Sequence, residues 1–126
     1  MFGKPEILTI ASSLAVHAAE RQALVAQNVA NADTPGYAAK DIDEFAAFYQ
    51  SESDFGMART RAGHIGGVPS TPPLSASSSL ETSPNGNSVS LEGEMVKAAE
   101  VQREHDLAIA VYGKSLDILR ASLGRR

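Results

Sequence analysis

The side chains able to do chemistry gather in a few places, and each place lacks a partner. Residues 28–45 read NVANADTPGYAAKDIDEF, with Asp33 beside Thr34. A threonine nucleophile needs a histidine or lysine base in reach, and none stands beside it in sequence. His17 with Glu20, and the run Arg103-Glu104-His105-Asp106, offer nitrogen and oxygen donors. Their spacing matches no recognised metal set, and His64 stands alone among glycines. Asp41 with Asp43, and Glu92 with Glu94, are paired carboxylates of the kind used in acid–base work. Residues two apart on a helix point to different sides, so solvated faces and helix-start charges are the simpler reading. No Walker, dinucleotide or nucleophile-elbow motif occurs. The expectation is a protein with no catalytic residue, no cofactor and no metal.

Composition narrows the classes further. The chain has 126 residues, 43% hydrophobic but only 6% aromatic, with no Trp and no Cys. Its length suits one ordinary domain. Much of the apolar content is alanine, which suits helix–helix seams. A net charge of −4 provides no footprint for nucleic acid, which needs clustered Lys and Arg. Without cysteine there is neither a disulfide framework nor thiolate chemistry. The N-terminal ILTIASSLAVHAAE loosely imitates a secretory signal, but Glu6, Ser12, Ser13 and His17 interrupt it. The helical pattern runs through the supposed cut, so no cleavage is expected.

Two elements must position these residues. From Pro5 to Ala32 no internal proline or glycine occurs, and Ile7, Ala11, Leu14, Ala18, Arg21, Val25, Asn28 and Ala32 recur at steps of four and three. That spacing predicts a helical seam, with Pro5 at the first helical position. Leu91, Met95, Ala98, Gln102, His105, Ile109, Tyr112, Leu116, Leu119 and Leu123 repeat the pattern at the other end. Ser90 is the expected N-cap and Gly124 the expected stop. The fold expected is all-α: two long amphipathic terminal helices, residues 1–36 with their turn and 89–126, pairing as an antiparallel coiled coil. Leu14 would then lie near Leu116 and Asn28 opposite Gln102, a polar register mark in an apolar seam. Between them, residues 37–88 form a loop-rich, partly disordered middle segment. Its run GGVPSTPPLSASSSLETSPNGNS has little to bury. The exception is a short helix with an aromatic face formed by Phe45, Phe48 and Tyr49.

The break after the first helix follows from local rules. Pro35 drives Thr34 out of the α region, so the helix ends near Ala32. Pro35-Gly36 fits the centre of a type II turn, where glycine supplies the positive φ. Asp33 and Thr34 are the residues expected to bond the freed backbone groups.

AQNVANADTPGYAAKDIDEF, Ala26 to Phe45, resembles the signature of the bacterial flagellar rod, hook and axial proteins, roughly A-N-N-[IL]-A-N-x-[ND]-T-P-G-[YF] followed by a basic residue. ARTRAGHI (58–65) and NSVSLEGEM (87–95) are similar to two further segments of its proximal-rod members. Gln27, Ala38 and His105 depart from the pattern, which bears on contacts around the turn and along the C-terminal seam. The sibling rod protein FlgC shares the T-P-G signature but lacks the DIDEF and NSVSLEGEM stretches. The resemblance implies a structural subunit of the basal-body rod, spanning the periplasm and exported by the flagellar type III apparatus without a cleaved signal peptide. It also implies polymerisation through the terminal helices. Partners would be other copies of itself, FliE, FlgC, FlgF and the export gate, with no nucleic acid and no membrane insertion. The motif residues Asn28, Asn31, Asp33, Thr34, Pro35, Gly36 and Tyr37 would shape the turn. Asp41, Asp43, Phe45, Phe48 and Tyr49 would reach a neighbouring subunit. The rival reading from residues alone is a helical adaptor that does not polymerise.

Overall fold

The computed structural model describes residues 5–53, 74–76 and 82–124. The segment ARTRAGHI, with Thr60, His64 and Ile65, lies outside the described residues, as do 66–73 and 77–81 of the Ser/Pro-rich run. The order is helix α1 (Glu6–Ala30), strand β1 (Lys40–Ile42), helix α2 (Phe45–Ser53), strand β2 (Leu74–Ala76) and helix α3 (Leu91–Ser122).

Both long helices begin and end on identifiable chemistry. α1 starts at Glu6, so Pro5 is its cap residue rather than its first helical one. The Pro5 carbonyl accepts from the N–H groups of Leu8 and Thr9, and Glu6 places negative charge at the positive end of the helix. α1 stops at Ala30, two residues short of Ala32. α3 starts as expected on Ser90, whose Oγ accepts from the Gly93 N–H at 3.3 Å. It ends before Gly124, which takes φ +79. With 25 and 32 residues, the helices are roughly 37 and 48 Å long.

The helices lie side by side. The C-terminal end of α1 meets the start of α3 through Asn28 and Glu94. The N-terminal end of α1 meets the second half of α3, where Ile7, Ile10, Leu14, Leu107 and Val111 line an apolar groove of about 510 Å³. Asn28 therefore faces Glu94 and not Gln102, about two helical turns earlier along α3. The physical reason is polar: fully buried Asn28 needs hydrogen-bonding partners, and Glu94, itself paired with Lys97, supplies one.

The face that α3 turns inward also differs from expectation. Its buried residues are Glu94, Val101, Ala108 and Ser115, at strict sevens, against Ala11, Ala18 and Val25 of α1. The expected seam residues Leu91, Met95, Gln102, Ile109, Tyr112 and Leu123 are exposed, and His105, Leu116 and Leu119 half-buried. On α1, Val25 is buried, Leu14 half-buried and Ile7 exposed. Inward positions carry small or hydrogen-bonded side chains, which lets the helices approach closely. The bulkier apolar row of α3 faces outward.

The middle departs from an all-α plan in one respect. β1 pairs antiparallel with β2, Asp41 opposite Ser75, so part of the Ser/Pro-rich run is a strand. The loop 82–90 is built from specific hydrogen bonds rather than left unbonded. Short helix α2 is present with its aromatic residues, as its spacing predicts.

Candidate functional site

The joint between α1 and α3 is where the distinctive residues of the sequence meet. Asn28 is fully buried, and its amide uses all four of its bonding positions. Its Nδ2 donates to the Lys40 carbonyl at 2.7 Å and to Glu94 Oε2 at 3.0 Å. Its Oδ1 accepts from the Lys40 N–H at 3.0 Å and the Tyr37 hydroxyl at 3.2 Å. One side chain thus holds the turn, β1 and α3 against α1.

The turn itself matches expectation at its centre. Tyr37 N–H donates to the Thr34 carbonyl, and Gly36 has φ +70, the geometry a type II turn requires of its third residue. Asn31 serves the helix end locally, donating to the Gln27 carbonyl and accepting from the Thr34 hydroxyl. Asp33 and Pro35 are exposed. Thr34 meets part of the expectation that it and Asp33 bond the freed backbone groups, through its own N–H, which donates to the Asn31 carbonyl at 3.0 Å. Asn87, more than fifty residues later and 1% exposed, donates from Nδ2 to the carbonyls of Asn31, Ala32 and Thr34 at 2.8–2.9 Å. Its Oδ1 accepts from Val89 N–H. A helix end leaves such carbonyls short of partners, and here the two Nδ2 hydrogens of a side chain from the loop before α3 are shared among three of them.

The two loops are laced together on the backbone as well. Gly36 N–H donates to the Asn85 carbonyl, and Ser88 N–H to the Tyr37 carbonyl. Ser88 Oγ accepts from Ala39 N–H at 2.8 Å. A Cβ on Gly86 would meet Gly36 Cα at 3.4 Å, so the two turns stand close.

β1 acts as a strap across both helices. Asp41 bridges Arg21 of α1 at 3.0 Å and Lys97 of α3 at 3.1 Å. Burial alone would raise the Asp41 carboxyl, but the hydrogen bonds from Arg21, Lys97 and the Ile42 N–H hold it below the usual carboxylate range. Burial likewise opposes the charge on Lys97, and its bonds to Asp41 and Glu94 hold it above the usual lysine value. Beyond the strap, His17 is 1% exposed and bonds the Asp43 carbonyl through Nε2 at 2.9 Å. A carbonyl only accepts, so Nε2 carries the hydrogen. Phe45 and Phe48 pack on the His17 ring at 5.6 and 5.8 Å, and Tyr49 packs on Phe45.

Of the residues expected to reach a neighbouring subunit, Asp41, Phe45 and Phe48 are therefore engaged within the chain; the Asp43 side chain is exposed. The sequence reading assigned no role to Asn87, Ser88 or Lys97, and read His17, Arg21 and Glu94 without their partners. The available signal was the motif NSVSLEGEM, whose first residue is Asn87. These arrangements hold backbone; none of them presents a nucleophile to a cleft.

Residues 9–37 match the family of flagella basal body rod proteins. The chain is 39% identical over 112 residues to the flagellar basal body rod protein FlgB of Agrobacterium fabrum, covering 81% of each chain. The chain belongs to the FlgB family. FlgB of Salmonella typhimurium is 33% identical over 78% of each chain, and FlgB of Escherichia coli 32% over 73% of this chain and 74% of its own. The family model covers most of α1 and the turn, and so includes both Asn28 and Gly36. Flagellar rod membership places the chain among structural proteins that act with other axial subunits. Among the described residues, no helix is long and apolar enough to cross a membrane.

Proposed function

We propose that the chain is a structural subunit of the proximal rod, which joins the inner-membrane ring of the flagellar basal body to the distal drive shaft and transmits torque. α1 and α3 act as an antiparallel coiled coil, and copies pack through these terminal helices. The observation that carries this reading is the outward row on α3. Met95 is 65% exposed, Ile109 55% and Leu123 85%, while a separate set of residues faces α1. A helix with one face satisfied within its chain and a second apolar face outside is suited to packing between neighbours. Neighbours of the right kind are copies of the chain, FliE, FlgC and FlgF. The export gate passes the chain unfolded and without cleavage of a signal peptide.

Deletion of the gene followed by electron cryotomography tests the reading. The expected result is inner-membrane rings without rod, hook or filament, restored by the intact gene. A paired chain carrying Met95→Glu and Ile109→Glu should keep its helicity, because both side chains point away from α1, and should fail to restore motility. Complete rotating flagella in the deletion strain, with no second copy of the gene, would overturn the rod assignment.

A further inference from the structure

Asn85-Gly86 is the only asparagine–glycine pair in the chain, and the joint requires its glycine. Gly86 has φ +82, a conformation L side chains rarely adopt, and a Cβ there would rest in contact with Gly36. The same pair carries an intrinsic reaction. A glycine amide nitrogen, unhindered by a side chain, attacks the preceding asparagine's side-chain carbonyl, one source of the thermolability of asparagine. We propose that Asn85 is a self-modification site, reactive in the unfolded chain and suppressed when the joint between α1 and α3 forms.

The chemistry balances within the chain plus water. Gly86 N bonds to Asn85 Cγ and the Cγ–Nδ2 bond breaks. Ammonia leaves, and the proton lost by the Gly86 amide is matched by the one the departing nitrogen takes up. Water then opens the five-membered imide. Opening at the side-chain carbonyl yields aspartate. Opening at the main-chain carbonyl yields its β-linked isomer, with an extra methylene in the backbone.

Three bonds oppose this in the folded joint. Gly86 N–H donates to the Ser83 carbonyl at 2.8 Å, so the attacking nitrogen is engaged. The Asn85 carbonyl accepts from Gly36 N–H at 3.1 Å, which pins the peptide plane that must swing toward Cγ. Asn85 Oδ1 accepts from Asn87 N–H at 3.0 Å, tying the side chain toward residue 87. That last bond also polarises the carbonyl and favours attack. A single polarising donor is worth a factor of about a hundred to a thousand, whereas alignment of the reacting atoms is worth about five orders of magnitude or more. Misalignment wins, and folding suppresses the reaction. The consequence falls on Asn87, two residues on. A β-linked residue 85 lengthens the main chain and moves Asn87 off the three carbonyls of the turn, so a chain aged while unfolded cannot rebuild the joint.

The test uses the full-length chain in mildly alkaline buffer, folded and in urea. Mass spectrometry of the peptide carrying Asn85 follows the loss of ammonia and uptake of water. The folded chain should react about tenfold more slowly or better, a ratio equal to about 1.4 kcal/mol of local opening. Equal rates, or a faster folded chain, overturn the proposal. Asn87→Ala keeps the reactive pair but frees the loop, and should bring the folded rate toward the urea rate while circular dichroism reports intact helices. Should that variant unfold, the wild-type chain in graded urea below its unfolding midpoint decides. Its rate must rise with joint opening, and a rate flat in urea overturns the proposal.

Discussion

Asn28 and Glu94, 66 residues apart in sequence and both buried, meet at 3.0 Å. This contact fixes how far α1 has slid along α3, because Asn28 also holds Lys40 and Tyr37 and cannot follow α3 to another register without leaving them.

Asn28→Ala strips four partners at once. Each buried polar group left unpaired costs about 1–3 kcal/mol, and relaxation will spare some of them, so a loss of about 3 kcal/mol in urea unfolding is expected. Asn28→Asp should be worse at neutral pH, because it sets two carboxylates together. Glu94→Gln in the same chain should recover part of that loss. A double-mutant cycle with no coupling would contradict the pairing.

The Asp41 bridge makes a pH prediction with a defined sign. The Asp41 carboxyl lies below its ordinary value in the fold, so its stabilisation is present above the ordinary carboxylate range and lost as pH falls through the lowered value. Lys97 is raised, so its share is present below the ordinary lysine value and lost as pH rises through the raised one. Asp41→Asn should lower stability at neutral pH by about 1–2 kcal/mol, between an exposed and a buried pair. The gap between wild type and variant in urea midpoint should close in acid. A gap unchanged by acid would mean that charge does not hold the strap.

Asn87→Ala should strip a side-chain donor from three carbonyls, two of which keep a backbone N–H, without touching either helix interior. The expected loss is about 1–3 kcal/mol, with faster amide exchange at Val89, whose N–H is bonded by Asn87 Oδ1. Asn87→Asp is not a rescue, since a carboxylate has no hydrogen to donate to a carbonyl. Slow exchange at Val89 in Asn87→Ala would remove Asn87 from this role.

Gly36 is a conformational requirement and not a steric one, because a Cβ there would meet nothing within 4 Å. Gly36→Ala at φ +70 should cost about 1–2 kcal/mol. Combined with Pro35→Ala, it should impair rod assembly and motility more than monomer helicity. Normal swimming by cells carrying only the double variant would show that the turn has no part in assembly.

Local rules made much of this legible from sequence. The two long helices, the Thr34–Tyr37 turn with glycine at its third position, the Ser90 cap, the Gly124 stop and the aromatic helix beginning at Phe45 each depend on residues within a few positions of one another. Backbone sterics and capping act over that range. The motif from Asn28 to Tyr37 is equally local, and its likeness to flagellar axial proteins was readable on it.

Tertiary structure decided what those elements face. A repeat of fours and threes leaves neighbouring stripes of a helix open to selection, and α3 carries two of them one residue apart. Leu91, Met95 and Ile109 form the greasier stripe, yet Val101 and Ala108 face α1, because Glu94 and Lys97 must reach Asn28 and Asp41. Buried polar groups cost too much unpaired to yield to a larger apolar area, and their partners lie on other elements. For the same reason the carbonyls freed by the turn at Thr34 are held not by their neighbours alone but also by Asn87, whose amide arrives only when α1 and α3 come together.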